Sequence, residues 1–167
     1  MLEIISIRLA SIHDTPSIVD IYNQGIRNRH NAILDEIELD RYTEEFSTRD
    51  LVEFPIYLAI KNDSILGWIS ISPYRANRRA YSKSKEVSFY IDNQYVGKGI
   101  GSQLLQYVIN SRTDIMFDSL FAILIANNQP SISLLKKFGF SLWGYMPKVL
   151  DMDGSRNDAL IYGKNFV

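Results

Sequence analysis

The segment Tyr95-Val96-Gly97-Lys98-Gly99-Ile100-Gly101-Ser102 places three glycines within five residues, between an apolar stretch and an amphipathic one. Glycine takes backbone conformations that other residues resist and lets a ligand approach the main chain closely. The first amides of a helix lack internal partners, and the helix dipole adds partial positive charge there. A glycine turn opening a helix therefore suits phosphate oxygens. It equally suits a tight strand-to-helix turn that binds nothing, and the glycines alone do not separate these readings. Two nucleotide motifs fail on residue order. Lys98 is followed by Gly99, where a P-loop needs Ser or Thr, and Ser102 stands where a G-x-G-x-x-G turn needs its last glycine. The chain has no cysteine and two histidines, His13 and His30, so thiol chemistry is excluded and no metal site is expected. A net charge of −1 gives no basic surface for nucleic acid.

The elements around this turn follow from periodicity. The 167 residues suggest one domain over 1–167, and 46% hydrophobic with 22% charged residues is an ordinary globular balance. Ile5, Ile7 and Leu9 alternate with polar residues as in a half-buried strand, and the first eight residues read as strand, not signal peptide. Asp14 or Thr15 can cap a helix with Pro16 in its first turn, and Ile18, Val19, Ile21, Tyr22 and Ile26 share one face. Residues 27–39 read as a loop and 40–52 as a second, more polar helix. Residues 56–60 and 65–71 read as strands joined by Asn62-Asp63-Ser64, and 86–91 as another. Beyond the glycine turn, 100–112 has helical spacing and 120–125 is a continuous apolar run, as in a buried strand. A helix over 130–138 stops at Gly139, and two strands flank Asp153-Gly154. This β-α-α-β-β-β-α-β-α-β-β order does not alternate throughout, so it is not a doubly wound nucleotide fold. No apolar run approaches the ~18 residues of a membrane span, and a cytoplasmic protein is expected.

The order of these segments resembles the GNAT acetyltransferase superfamily: strand, V-G-K-G-I-G, helix, buried strand, Asn128-Gln129-Pro130-Ser131-Ile132, then Phe138-Gly139-Phe140. Ile18 to Asn23, Arg79-Ala80-Tyr81, Glu86 and Asp153 to Asp158 further resemble the phosphinothricin and methionine-sulfone N-acetyltransferase group. The resemblance implies an α+β, mixed α/β sandwich. Its central sheet would be mostly antiparallel with six or seven strands, splayed between the fourth and fifth, and flanked by about four helices. It implies acetyl-CoA as cosubstrate. Backbone groups of Phe89, Tyr90 and Ile91 would pair with the pantetheine arm. The amides of Gly97, Lys98, Gly99, Ile100, Gly101 and Ser102 would hold the pyrophosphate, and Asn128 would bond the pantetheine. The family's turn usually begins with Gln or Arg, and Val96 stands in that place. Relatives are often dimers, so a homodimer is compatible with the resemblance.

The resemblance also assigns chemistry. An alkyl amine with a pKa of about 10 must lose a proton before it attacks a thioester, and a carboxylate with a raised pKa suits that task. Glu86 occupies the family position for the base. Chain position alone favours an ordinary ion pair with Lys83, Lys85 or an arginine, and the resemblance favours the base. Arg79, Ala80 and Tyr81 are candidates to hold a small amino-acid-like acceptor, since an arginine fork suits an oxyanion. Arg75, Arg78, Arg79, Lys83 and Lys85 could instead be a solvated basic loop. Many relatives carry Tyr or His as general acid where this chain has Leu135; Tyr145 or water is a substitute. Tyr22, Asn23, Phe46, Trp68 and Trp143 are pocket or core residues, and His13 and His30 surface residues. An acceptor within a protein or peptide, or a non-catalytic acyl-CoA sensor, remain alternatives.

Overall fold

The computed structural model describes residues 5–167. Met1 to Ile4, part of the strand expected at the start, lie outside the described residues. Seven strands hydrogen-bond in the order β1-β2-β3-β4-β5-β7-β6, being β1 (Ser6–Leu9), β2 (Ile56–Lys61), β3 (Ser64–Pro73), β4 (Ser84–Ile91), β5 (Ser119–Ile125), β6 (Ser141–Met152) and β7 (Ser155–Asn165). The helices are α1 (Thr15–Arg27), α2 (Leu39–Ser47), α3 (Ile100–Asn110), α4 (Arg112–Ile115) and α5 (Gln129–Lys137). The β1–β2, β2–β3, β5–β7 and β6–β7 pairs are antiparallel, whereas β4 and β5 are parallel. This is the mixed, mostly antiparallel sheet expected. The chain forms two compact units, residues up to 24 with 37–72 and 88–116, and residues 25–36 with 73–87 and 117–167.

In the first unit, one face of α1 buries Ile18 and Ile21 with Phe46 of α2 and Ile56, Leu58 and Trp68 of β2 and β3. The spacing of Ile18, Ile21 and Tyr22 is what a helix needs to present one apolar stripe. The indole Nε1 of Trp68 donates to the Ile18 carbonyl at 3.1 Å, so the ring fills the core without leaving its polar atom unpaired. Tyr22, Trp68 and Tyr90 form a three-ring cluster, with centroids 5.3, 4.7 and 4.7 Å apart. Leu104, Leu105 and Val108 of α3 are fully buried.

The start of α1 differs from the expectation. A 3-10 turn, Ile12–Asp14, precedes the helix, with Ser11 as its N-cap. Asp14 reaches back to accept the Ser11 N–H at 2.8 Å and its hydroxyl at 2.9 Å, and receives both ends of the Arg8 guanidinium at 2.8 Å. Thr15 turns its hydroxyl to the Ile12 carbonyl at 2.9 Å. Neither residue caps α1 in the expected way, because both side chains serve the turn before it. The second helix ends at Ser47, earlier than expected. There Asp50 accepts the N–H groups of Val52 and Glu53 at 2.9 and 3.1 Å, and Arg49 donates to the Phe54 and Ile71 carbonyls. A side chain that satisfies backbone amides competes with helix continuation.

In the second unit, Phe117, Leu120, Phe121, Ala122, Ile125, Leu135 and Phe140 are buried. Gly139 ends α5 with φ of +79°, its N–H bonded to the Lys136 carbonyl at 3.0 Å and that of Phe140 to Leu135 at 3.0 Å. Asp153 and Gly154 both take positive φ, +54° and +88°, in the tight turn between β6 and β7.

The Arg8 pairing holds the Asp14 carboxyl at about 2, below its ordinary 3.8, with the Ser11 hydrogen bonds acting in the same direction. The folded value lies below the unfolded one, so this contribution is complete above about pH 4 and is lost as pH falls toward 2. Thermal unfolding across that range should show a smaller drop in Tm for Asp14→Asn than for the wild-type chain.

Candidate active site

The glycine turn lies wholly in the first unit. Gly97 and Gly99 take φ of +78° and +81°, and a Cβ added to either would meet nothing within 4 Å. Their need for glycine is conformational, and the space over the turn is open. Gly99 is the N-cap of α3, whose first turn carries no acidic residue. The helical ladder opens with Gln103 N–H on the Gly99 carbonyl at 3.2 Å, so the amides of Ile100, Gly101 and Ser102 precede it. The open space over Gly97 and Gly99 and the positive end of a helix fit a diphosphate. Lys98 is exposed, with its Nζ 4.9 Å from the centre of the Tyr95 ring. Val96 is exposed.

Upstream of this turn, β4 carries Phe89, Tyr90 and Ile91. On the β3 side the approach is tight, because a Cβ on Gly67 would lie 2.8 Å from the Tyr90 carbonyl oxygen. Glycine is required there for close strand packing, not for its φ. The ladder from β4 to β5 covers Ser84↔Ser119, Lys85↔Leu120 and Glu86↔Phe121, and β4 runs on to Ile91 beyond its last pair.

Glu86 lies in the second unit, half-buried, beside Phe121 in the parallel register. Paired residues of a ladder share a face of the sheet. Burial raises the Glu86 pKa above its ordinary 4.5, and among the described residues no ion pair to Glu86 is found. The ion pair considered from chain position is therefore not what governs this carboxyl. Lys83 instead pairs with Asp118 at 3.2 Å. Tyr74 sits edge-on to Phe121 at 4.6 Å and to Tyr81 at 5.1 Å. This run of rings connects the Arg79–Tyr81 turn to the residue beside Glu86. Sequence reasoning gave Tyr74 no role, since aromatic type alone does not reveal a ring contact across 47 positions. Arg75 is tied to Tyr74 through Nε at 3.3 Å, whereas Arg79 is exposed and makes no ion pair among the described residues.

Other expected residues take defined places. Asn128 is buried and caps α5, its Oδ1 accepting the Ser131 N–H at 3.3 Å. Leu135 is fully buried, so the slot for a general acid is part of the core. Tyr145 donates its hydroxyl to Asp158 at 2.5 Å, and that bond raises its pKa, which makes it a poorer acid. Phe46 and Trp68 are core residues. Asn23 clamps the main chain of Ile37, accepting its N–H at 2.7 Å and donating to its carbonyl at 3.1 Å. Trp143 is 45% exposed. His13 and His30 are exposed. Among the described residues, no group of three or more His, Cys, Asp or Glu side chains is placed to hold a metal, and no helix is long and apolar enough to cross a membrane.

Residues 18–140 match the acetyltransferase (GNAT) family. The chain belongs to that family. It is an acetyl-CoA-dependent N-acetyltransferase, and its glycine turn, β4 and α5 all fall within the matched span. A Bacillus subtilis protein provisionally named a phosphinothricin acetyltransferase is 36% identical over 95% of this chain and 98% of its own. The L-methionine sulfoximine/L-methionine sulfone acetyltransferase of Pseudomonas aeruginosa is 33% identical over 86% of this chain and 84% of its own. Among solved structures, a phosphinothricin acetyltransferase from Sinorhizobium meliloti in complex with acetyl-CoA superposes with a TM-score of 0.88 at 26% identity, covering 96% of this chain and 88% of that one. A ribosomal-protein-alanine N-acetyltransferase from Brucella melitensis gives 0.89 at 27% identity, covering 96% and 99%.

The two kinds of glycine in this N-acetyltransferase should respond differently to a methyl group. Gly99→Ala adds no clash and should cost about 1–2 kcal/mol through its left-handed backbone. Gly67→Ala drives a carbon against backbone and should cost about 1–3 kcal/mol through overpacking, with crystals showing β3 displaced from β4 there and an unmoved main chain at residue 99. Urea unfolding and crystal structures of both variants check this.

Proposed function

We propose that this enzyme acetylates the α-amine of a small amino acid whose side chain ends in a sulfone, sulfoximine or phosphinate group, with Glu86 as general base. The observation that carries the mechanism is the half-buried Glu86 carboxyl, whose pKa burial raises. The acceptor class is supported by the names of the Pseudomonas and Sinorhizobium relatives.

In this reading the backbone of Phe89, Tyr90 and Ile91 receives the pantetheine as an added strand. The amides of Gly97 to Ser102 take the diphosphate, and Asn128 donates through Nδ2 to the pantetheine while its Oδ1 keeps the α5 cap. Glu86 and the pantetheine-binding residues belong to the same strand, β4. Glu86, with its affinity for protons raised, removes one from the bound ammonium, directly or through water, and leaves a neutral amine to attack. Tyr81 and Ala80 shape the acceptor's place with Tyr74 behind them, and the Arg79 fork takes an acceptor oxyanion. Coenzyme A leaves as a thiolate of pKa about 8.5, which needs no general acid; the buried Leu135 and the engaged Tyr145 agree with that. A ribosomal protein N-terminus is the competing acceptor, on the strength of the Brucella neighbour.

Thiol release from acetyl-CoA should occur with methionine sulfone, methionine sulfoximine or phosphinothricin and not with a peptide whose N-terminal residue is alanine. Preference for the peptide would replace the acceptor assignment, and acetyl-CoA binding with no turnover on any amine would indicate a sensor. Glu86→Gln should lower kcat/KM by about 10²–10⁴-fold with acetyl-CoA affinity unchanged. In the wild-type enzyme, activity should fall on the acid side through a pKa above 4.5, because the base works only when deprotonated. Full turnover in Glu86→Gln would remove Glu86 from the role.

A further inference from the structure

The turn that leads into Gly97 is held by a residue far away in sequence. Near the end of α1, the Gln24 side chain accepts the N–H of Asn93 on Oε1 at 2.8 Å. Its Nε2 donates to Asp92 Oδ2 at 3.2 Å and to Asp20 Oδ2 at 3.1 Å. The other Asp92 oxygen accepts the Gln94 N–H at 2.8 Å, while the Asp92 N–H donates to the Leu66 carbonyl of β3 at 3.0 Å. The Asp92 carbonyl then takes the Tyr95 N–H at 2.8 Å, and the Tyr95 carbonyl takes that of Lys98 at 3.3 Å. One unbroken series of hydrogen bonds thus runs from α1 to the residue before Gly99.

The chemistry at position 24 is demanding. The Asn93 amide needs an acceptor and the two carboxylates need a donor, and a side-chain amide supplies both from one planar group. Glutamate keeps the acceptor and faces two like charges; methionine keeps the length and loses both functions. All these groups lie in the first unit, together with Gly97 to Ser102.

We propose that Gln24 is a positioning residue for acetyl-CoA. Through Asp92 and Asn93 it fixes where the 3-10 turn Asn93–Tyr95 ends, and so where the amides of 97–102 converge. This rests on the reading of those amides as the diphosphate site. Positioning errors of about 1 Å at such sites carry large penalties, and here they fall on the nucleotide end of the cosubstrate, away from the reacting carbonyl.

The test is steady-state kinetics and direct coenzyme A titration of Gln24→Met and Gln24→Glu. Both variants should raise the acetyl-CoA KM, and the coenzyme A Kd, by about fivefold to tenfold, a loss of about 1.0–1.4 kcal/mol. Saturated kcat and the acceptor KM should stay within twofold of wild type. Adding Asp92→Asn to Gln24→Glu restores a donor opposite the new carboxylate and should recover most of the affinity. Wild-type protein that binds coenzyme A, with both single variants keeping its affinity and merely losing Tm, overturns the positioning role while leaving the diphosphate site intact. Variants in which kcat and both KM values worsen together overturn it as well. Wild-type protein that does not bind coenzyme A overturns the diphosphate reading and this inference with it.

Discussion

Parallel pairing between β4 and β5 ends at Glu86 and Phe121, and β4 continues to Ile91. A strand that outruns its neighbour presents backbone donors and acceptors on that edge, and such groups favour an added strand. Much of the chemistry assigned to this chain follows from where that ladder stops. Glu86, the last β4 residue in that ladder, is half-buried, and its burial lifts the carboxyl pKa. Residues after it have β3 on one side, pressed close by Gly67. The proposed base and the proposed pantetheine-binding residues are thus drawn from one strand, β4.

The glycine turn completes this division of labour. It follows β4 through the 3-10 turn Asn93–Tyr95, and its two left-handed glycines, with open space over them, lead the chain into α3. The turn is not held by its own residues alone. Gln24 of α1 bonds both Asp92 and Asn93, so the most glycine-rich and exposed part of the chain is anchored to a helix whose other face is in the core. Affinity for an anion at a helix start depends on fixed amides, and the anchor supplies that fixity at the one place where glycine makes the backbone permissive.

Most of the element order was legible in the sequence because apolar periodicity reports burial directly: the α1 stripe, the run in β5 and the Asp153-Gly154 turn each have one cause and one local signature. The corrections arose where side chains bond backbone. Asp14 and Thr15 serve the turn before α1, and Asp50 with Arg49 ends α2 early. Propensity does not report such competition between two local hydrogen-bonding schemes. At the site, Gly97, Gly99 and Glu86 could be singled out by type and by resemblance. Tyr74 and Gln24 could not, because their meaning lies in contacts to Phe121 and Asp92 that no spacing encodes. Tyr145 illustrates the converse: its type suits proton donation, and its hydroxyl is already given to Asp158.

The central claim is that one ligand spans the open edge of β4 and the amides of the glycine turn. Amide-resolved nuclear magnetic resonance of the labelled protein, titrated separately with coenzyme A, pantetheine and adenosine 3′,5′-diphosphate, tests it most directly. Coenzyme A should move the amide signals of 89–91 and 97–102 together, pantetheine those of the first group, and the nucleotide those of the second. Signals at 97–102 that stay still while coenzyme A saturates the protein elsewhere would contradict the account.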